Sequence, residues 1–170
     1  TTPPTAANTV DGATDPTPVT TSGATSSNDE SSFYGLNAAV LADAGGTVTL
    51  TGGTVTTTGT GANGVFASGA GSTATLSDLT IDATGGGGHA VMATLGATMT
   101  LTNVTMTTAG ANSGAIATDR GSGTITVTGG SVRTSGQDSP GIYSTGTIAV
   151  TGADIAATGA EAAVIEGGNS

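Results

Sequence analysis

The sequence predicts an all-β fold, a parallel β-solenoid of about five to six three-strand coils with a period of about 25 residues. The first observation behind this prediction is an apolar column that recurs at spacings of 25, 26, 25, 26 and 22 residues: Val40, Val65, Val91, Ile116, Ile142 and Val164. The second is an apolar–polar alternation within each unit, which is the period of a β-strand. The third is a glycine that closes each unit: Gly59, Gly85, Gly110, Gly136 and Gly159.

Three further columns keep the same register and strengthen the prediction. One column consists of Val48, Ala74, Met99, Ile125 and Ile148. Two residues later in each unit come Leu50, Leu76, Leu101, Val127 and Val150. Five residues beyond these come Val55, Ile81, Met106, Val132 and Ile155. We expect all of these side chains to point inward and to stack on their equivalents, about 4.8 Å away along the solenoid axis.

Each unit contains three strand-like segments, which are separated by Gly, Asn or Asp turns. The first examples along the chain are AVLA, TVTLT and TVTTT. Helical repeats are excluded, because the units are rich in Gly and β-branched residues and alternate with a period of two.

Composition excludes several function classes. The 170-residue chain has a formal net charge of −10, and its two basic side chains are Arg120 and Arg133, so it contains no Lys. Because phosphate binding needs clustered Lys and Arg, we expect no nucleic-acid partner. No run of about 18 apolar residues is present, so we expect no membrane insertion. The absence of Cys excludes thiolate chemistry and a disulfide framework.

The two ends of the chain differ from the repeats. Residues 1–32 are rich in Thr and Pro, and their large apolar side chains are Val10 and Val19. We interpret them as an extended tail or linker, which precedes a parallel β-helix over residues 33–170 and lies along a neighbouring subunit by strand addition. At the other end, AVIEGGNS matches the first strand of a further coil without a recognisable cap. This favours either stacking on another subunit or a piece cut from a longer protein.

The rung GGTVTLTGGTVTTTG and its equivalents, which cover residues 37–170, resemble the right-handed parallel β-helix of the pectate-lyase-like superfold. They are especially similar to repeats in the passenger regions of bacterial autotransporters and in adhesin-like surface proteins. The resemblance implies a right-handed solenoid. It specifies no activity, since this superfold hosts lyases, adhesins and scaffolds alike.

One outer face is predicted to carry a stripe of large apolar residues beside the Val40 column. Contiguous exposed apolar surface is typical of a partner interface. The candidate subunit-interface residues are therefore Leu41, Phe66, Met92, Tyr143 and Ile165, together with Val10 and Val19 of the tail. The alternative is a kinked strand or reversed parity, in which case these large side chains fill the core.

A second outer face is predicted to carry an uncharged array of hydroxyl groups: Thr47, Thr49, Thr51, Thr73, Thr75, Thr98, Thr100, Thr102, Thr124, Thr126, Thr128, Thr147 and Thr151. Its expected spacings are about 6.7 Å along the strands and about 4.8 Å between coils. The array resembles the T-x-T arrays of β-solenoid ice-binding proteins. The alternative is that Thr is simply a favourable solvent-facing strand residue.

The remaining polar residues favour no catalytic site. The third outer face has a mixed column that is typical of a solvated surface: Thr56, Asp82, Thr107, Arg133 and Ala156. Asp43 and Asp119 share a column but lie three coils apart, about 14 Å. His89, the sole histidine, lies in GGGGHAV and is interpreted as a turn residue. Lacking clustered carboxylates and any hydrolase, metalloprotease or P-loop motif, the sequence predicts no enzyme, cofactor or metal site.

These observations lead to one expectation and two alternatives. We expect a non-enzymatic structural protein at an extracellular or cell-surface location, a self-assembling subunit of a filament or surface fibre whose partners are copies of itself. The first alternative is an adhesin-like or autotransporter-like passenger fragment, acting as a stalk or as a surface that binds a glycan or another cell-surface ligand. The second is an ice-binding protein that uses the Thr array.

Overall fold

A computed structural model describes residues 7–11, 19–21 and 33–167, with the backbone alone for the first two ranges. The described residues form 18 strands in three parallel sheets of six strands each. Successive strands belong to successive sheets, so the chain makes about five turns. We call one strand from each sheet a layer. The predicted all-β parallel solenoid of three-strand coils is therefore confirmed.

Sheet A is formed by the first strand of each layer: β1 (Ala7–Asp11), β4 (Thr47–Thr51), β7 (Thr73–Ser77), β10 (Thr98–Thr102), β13 (Thr124–Thr128) and β16 (Thr147–Thr151). Sheet B follows with β2 (Val19–Thr21), β5 (Thr54–Thr57), β8 (Thr80–Ala83), β11 (Thr105–Thr108), β14 (Ser131–Thr134) and β17 (Asp154–Ala157). Sheet C closes each layer with β3 (Val40–Ala42), β6 (Val65–Ser68), β9 (Val91–Thr94), β12 (Ile116–Asp119), β15 (Ile142–Ser144) and β18 (Ala163–Ile165).

The predicted inward columns are confirmed in all three sheets, except for Val164 at the last strand of sheet C. There the prediction is wrong by one residue, because Ala163 pairs with Ile142 and Val164 pairs with Tyr143. In sheet A, Met99 pairs with Ala74 on one side and with Ile125 on the other, and all three side chains are buried. In sheet C, Val91 pairs with Val65 and Ile116, at separations of 26 and 25 residues. These columns meet in one apolar core that runs along the solenoid axis. Stacking like residues in register lets each layer bury its inner face against its neighbours.

The closing glycines allow the corners between sheets B and C to stack closely. A Cβ atom at Gly85 would overlap the carbonyl oxygen of Gly59, and one at Gly136 would overlap that of Gly110. Any side chain at these positions would therefore force successive layers apart. The glycines that the sequence marks as the end of each unit are therefore required for close packing of the layers.

The described parts of the N-terminal segment pair within the same chain. β1 pairs in parallel with β4, with Val10 opposite Leu50, and β2 pairs with β5, with Val19 opposite Val55. The side chains of Val10 and Val19 lie outside the described part of the structure, so their predicted interface role stays a prediction. The boundary between residues 32 and 33 also stays a prediction.

The predicted apolar stripe on sheet C runs in register from Leu41 to Tyr143 but is covered over part of its length. Its last predicted member, Ile165, lies outside the stripe, because it pairs with Ser144 while Val164 pairs with Tyr143. Phe66, Met92 and Ala117 form a cluster separate from the axial core, so they face outward. The expectation that Phe66 and Met92 are exposed is nevertheless wrong, because their side chains are 0% and 1% exposed. Phe33 and Ala38 pack on this cluster. The chain therefore crosses its own sheet C, and we call residues 33–38 the cover segment.

Gly35 shows how closely the cover segment approaches sheet C. It has a φ of +73°, and a Cβ atom there would lie 2.7 Å from Phe66 Cγ and 2.8 Å from Leu41 Cδ1. Glycine is therefore needed at this position both for its backbone conformation and for its lack of a side chain.

Candidate functional site

Sheet A carries a regular outer surface, which we call the Thr face and which consists of the outward side chains of β4, β7, β10, β13 and β16. Its outward residues pair in register from layer to layer, for example Thr49 with Thr75, Thr75 with Thr100 and Thr100 with Thr126. Each of these four side chains is exposed or half-buried. The structure thus brings together the Thr residues predicted to form the array, in five successive strands from β4 to β16.

Hydrogen bonds link part of the Thr face across layers. Thr73 Oγ1 donates to Thr47 Oγ1 at 3.0 Å, and Ser77 Oγ donates to Thr51 Oγ1 at 3.2 Å. Ser77 and Ala149 occupy array positions without being Thr. Hydroxyl–hydroxyl hydrogen bonds therefore join β4 to β7 at two positions, as expected for cross-strand Thr pairs. The outward hydroxyl groups also present polar groups to solvent.

The other predicted interface residues are dispersed rather than joined in one patch. Leu41 is 37% exposed at the first described strand of sheet C, and Ile165 is 71% exposed at the last. Tyr143 is half-buried and packs against the outer cluster. Phe66 and Met92 lie between these ends, beneath the cover segment.

A groove of about 590 Å³ runs beside the cover segment, along the corner between sheets B and C. Its walls come from four successive layers: Thr60, Gly86, Gly87, His89, Met92, Ala111, Asn112, Gly114, Asp119, Asp138, Pro140 and Tyr143, with Phe33 from the cover segment. Because adjacent layers are about 4.8 Å apart, the groove is roughly 15 Å long. This volume lies in the range of small-molecule sites.

The turns that form one wall of the groove are held by backbone hydrogen bonds between layers. Gly87 N donates to Ala111 O at 2.8 Å, and Asn112 N donates to Gln137 O at 2.9 Å. Gly87, Asn112 and Asp138 all have positive φ, with values of 70°, 54° and 53°. Asn and Asp adopt this conformation more readily than other non-glycine residues. The turn therefore explains the residue types and directs two polar side chains to the groove.

His89 is buried in the groove wall rather than exposed in a turn. Its side chain is 8% exposed, and Asn63 Oδ1 accepts a hydrogen bond from its backbone N–H at 2.8 Å. Its Nδ1 lies 2.7 Å from Gly114 O. Because a carbonyl oxygen can only accept, Nδ1 carries the proton. Burial lowers the pKa of His89, more than the Gly114 carbonyl and the charge of Asp119 raise it.

Tyr143 lines the groove and is anchored at its hydroxyl. The Tyr143 hydroxyl donates to Glu166 Oε2 at 2.5 Å. Burial raises the pKa of Tyr143, and the hydrogen bond to Glu166 and the nearby charge of Asp119 raise it further. The phenol therefore stays protonated at neutral pH.

Two neighbouring charged residues, Asp119 and Arg120, lie at the groove and at Phe33. The guanidinium carbon of Arg120 lies 4.2 Å from the centroid of the Phe33 ring, a cation–π arrangement. Asp119 Oδ1 accepts a hydrogen bond from Arg120 N at 2.6 Å. Asp43 directly follows β3, whereas Asp119 ends β12. The two carboxylates therefore lie three layers apart, as the sequence predicts.

Sequence reasoning missed this groove. It assigned His89 to a turn and gave no role to Phe33, Asn112 or Asp138. The one available signal was the succession of Gly87, Asn112 and Asp138 at equivalent turn positions, which repeats with the period of the layers. That signal identifies a turn but does not show that the turn lines a groove.

The outer face of sheet B carries an exposed ion pair between Arg133 and Asp154. Arg133 also donates to the backbone carbonyl of Asp154 at 3.1 Å. Such a pair on an exposed surface contributes little to stability. Among residues 33–167, no three His, Cys, Asp or Glu side chains are grouped so that they could hold a metal ion. Within the described ranges, no helix is long and apolar enough to cross a membrane.

No protein-family model matches the sequence, and neither the curated proteins nor the solved structures give a match. The class of protein that fold and surfaces define is a parallel β-solenoid repeat protein with a Thr-rich face.

Proposed function

We propose that the chain is a non-enzymatic extracellular structural protein, which stacks layer on layer with copies of itself to form a filament or surface fibre. The observation that carries this proposal is the last described layer, β16 to β18. Its inward side chains Ile148 and Ile155 are half-buried, whereas their equivalents one layer earlier, Ile125 and Val132, are fully buried. Covering this layer with another would bury the same apolar columns that hold the inner layers together.

The edges of the sheets support the same contact. β16, β17 and β18 are the terminal strands of sheets A, B and C, and β1, β2 and β3 are the terminal strands at the other side. Unpaired edges of parallel strands are templates for further pairing. Since all three sheets are parallel and in register, one copy's last layer complements another copy's first. Such a head-to-tail contact does not close, and it generates a filament.

In this arrangement the N-terminal segment packs on a neighbouring subunit as well as on its own chain. β1 and β2 pair with β4 and β5 on one side. Their other edges would pair with β16 and β17 of the next copy. Strand addition of this kind relies on main-chain hydrogen bonds, so it tolerates the poor apolar content of residues 1–32.

Electron microscopy of the purified chain tests the proposal. We expect unbranched fibres, with a strand spacing of about 4.8 Å along the axis and a subunit repeat of roughly 29 Å from six layers per chain. Isolated rods of one chain's length at all concentrations would contradict the filament. Such rods would favour the stalk or adhesin alternative, which the pairing of β1 and β2 within their own chain also fits.

A second candidate function is ice binding by the Thr face. The observation that favours it is the in-register pairing of outward Thr residues in β4, β7, β10 and β13. This pairing places hydroxyl groups about 4.8 Å apart along the axis and about 6.7 Å apart along each strand. A flat, uncharged hydroxyl lattice of this kind can present ordered acceptors and donors to water.

Thermal hysteresis tests the second candidate. Ice binding predicts measurable hysteresis that is lost in the double variant Thr100→Lys/Thr126→Lys at the centre of the face. The matched control is Thr56→Lys/Thr107→Lys, which places the same two charges on the outward face of sheet B. Absence of hysteresis in the unaltered chain, or equal hysteresis in both variants, would remove this candidate without affecting the filament.

A further inference from the structure

The groove at the corner between sheets B and C is a concave site whose polar groups are mostly acceptors. His89 supplies one of them. Since its Nδ1 donates to Gly114 O, its Nε2 carries a lone pair and can only accept. Nε2 has no hydrogen-bond partner, yet it is not among the polar side-chain atoms that are both sealed from solvent and unpartnered; within the described residues, Thr134 Oγ1 alone meets both conditions. A side chain that is nine-tenths buried thus opens its remaining lone pair to the groove.

Tyr143 adds a second acceptor. Its single O–H proton is directed to Glu166 Oε2, so its oxygen can offer only lone pairs to a further partner. Asp119 and Asp138 add carboxylates, which accept and do not donate when ionised. Asn112 and Thr60 are the side chains of the wall that can donate. A ligand that fills the groove must therefore bring most of the hydrogen-bond donors itself.

The electrostatic environment selects a positively charged ligand. Asp119 and Asp138 line the groove, Glu166 is hydrogen-bonded to a lining residue, and the whole chain carries a net charge of −10. An anion would be repelled by these carboxylates. Arg120 is the one basic side chain beside these acidic groups among the described residues. A neutral ligand would therefore leave negative charge in excess when water is displaced.

The apolar part of the groove suits an organic body rather than a bare ion. Phe33, Met92, Pro140 and the Tyr143 ring line it. The Phe33 ring already accepts a cation, since the Arg120 guanidinium lies over it. With no three potential ligands grouped among the described residues, the groove offers no cage for a metal ion.

We propose that this groove binds an organic ammonium ion, in which a charged N–H head faces Asp119, Asp138 and His89 Nε2 and an aliphatic body lies against Phe33 and Met92. The chain contains no Lys side chain that could supply such an ammonium group, so the proposed ligand comes from another kind of molecule. The same chemistry is offered by a free alkylamine and by a Lys side chain of a peptide. The site is independent of the filament, since all its walls belong to one chain.

The test uses the single histidine of the full chain as the reporter. Titration with n-butylammonium, followed by the ¹⁵N resonances of His89, should give a saturable shift of Nε2, and Nδ1 should stay protonated. The neutral isostere n-butanol and methyl glucoside should bind at least 10-fold more weakly. Nα-acetyl-lysine amide should compete with n-butylammonium if a Lys side chain is the source, and should fail to compete if the site accepts free amines alone.

Matched variants locate the site. Asp119→Asn/Asp138→Asn keeps the shape and the turn conformation while removing both charges, and should weaken n-butylammonium at least 10-fold. Asp82→Asn on the outer face of sheet B removes a charge elsewhere and should leave the affinity unchanged. Equal binding of n-butanol and n-butylammonium, or equal affinity in the double variant and the Asp82→Asn control, would overturn the proposal. If the double variant fails to fold, the comparison of n-butanol with n-butylammonium on the unaltered chain decides alone.

Discussion

Thr108 and Thr134 occupy equivalent inward-facing positions in neighbouring layers but differ in their hydrogen bonds. Thr108 Oγ1 donates to Ser113 O at 2.6 Å, whereas the buried Thr134 Oγ1 has no partner. We expect Thr108→Val to lower the free energy of unfolding by about 1–2 kcal/mol, because the Ser113 carbonyl loses its donor. Thr134→Val should be neutral or stabilising by up to about 1 kcal/mol. Chemical denaturation of both variants measures the difference, and equal losses would contradict it.

His89 should make stability depend on pH. Because burial lowers its pKa in the folded state, the unfolded chain binds the proton more readily. The stability that neutral His89 contributes is thus fully present above about pH 6.5, the usual pKa of histidine in an unfolded chain. It is lost as pH falls towards the pKa of His89 in the folded state. We expect the free energy of unfolding, relative to that of His89→Gln, to fall between pH 7.5 and pH 5. Asp119 and the other carboxylates titrate in both proteins, so their effect largely cancels. A pH-independent difference would contradict the prediction.

The cover segment is the element that converts an exposed stripe into a second small core. Phe33 packs on Phe66 and Met92, whereas its neighbour Tyr34 is 46% exposed. We expect Phe33→Ala to lower the free energy of unfolding by about 1–2 kcal/mol. This loss is smaller than the loss for truncating a fully buried Phe, because Phe33 is half-buried. It should also increase binding of a hydrophobic dye to the uncovered stripe. Tyr34→Ala is the control, with an expected change within about 0.5 kcal/mol. Equal effects of the two substitutions would show that the cover contributes no packing.

The strands could be predicted because each repeats the same physical requirement. Val65, Val91 and Ile116 must all fill the same axial position, so a period of 25 or 26 residues is written directly in the sequence. The cover segment could not be predicted, because it occurs once in the chain. Its Phe33 packs on a cluster that includes Phe66 and Met92, which lie far from it in the sequence. A non-repeated segment lacks the column that revealed the strands.

At the scale of the whole molecule, the difference between repeated and non-repeated segments also explains which surfaces could be predicted from the sequence. The Thr face lies within one sheet and follows from strand register alone, so its members could be named from the sequence. The groove combines turns from four layers with Phe33, and its key polar atom is His89 Nε2. Locating that atom requires the hydrogen bond from Nδ1 to Gly114, which depends on the three-dimensional stacking of layers.

In the proposed filament, growth would depend on the backbone edge of the last described layer. Glu166 N donates to Ser144 O and Thr158 N donates to Thr134 O, both towards the preceding layer. Because backbone groups alternate sides along a parallel strand, the N–H groups of Ile165 and Ala157 face the open edge. Proline at these two positions removes donors from that edge alone, as tolerated in edge strands.

We therefore expect the free energy of unfolding of Ala157→Pro/Ile165→Pro to lie within about 1 kcal/mol of that of the unaltered chain. The same variant should form few or no filaments. The matched control is Ala157→Ser/Ile165→Thr, which keeps both N–H groups while removing the exposed Ile165 side chain. Sedimentation velocity and electron microscopy measure the assembly of all three proteins. If the proline variant assembles as well as the others, layer stacking through the backbone edge is wrong. If the control also fails to assemble, the contact depends on the apolar side chain of Ile165 rather than on strand pairing.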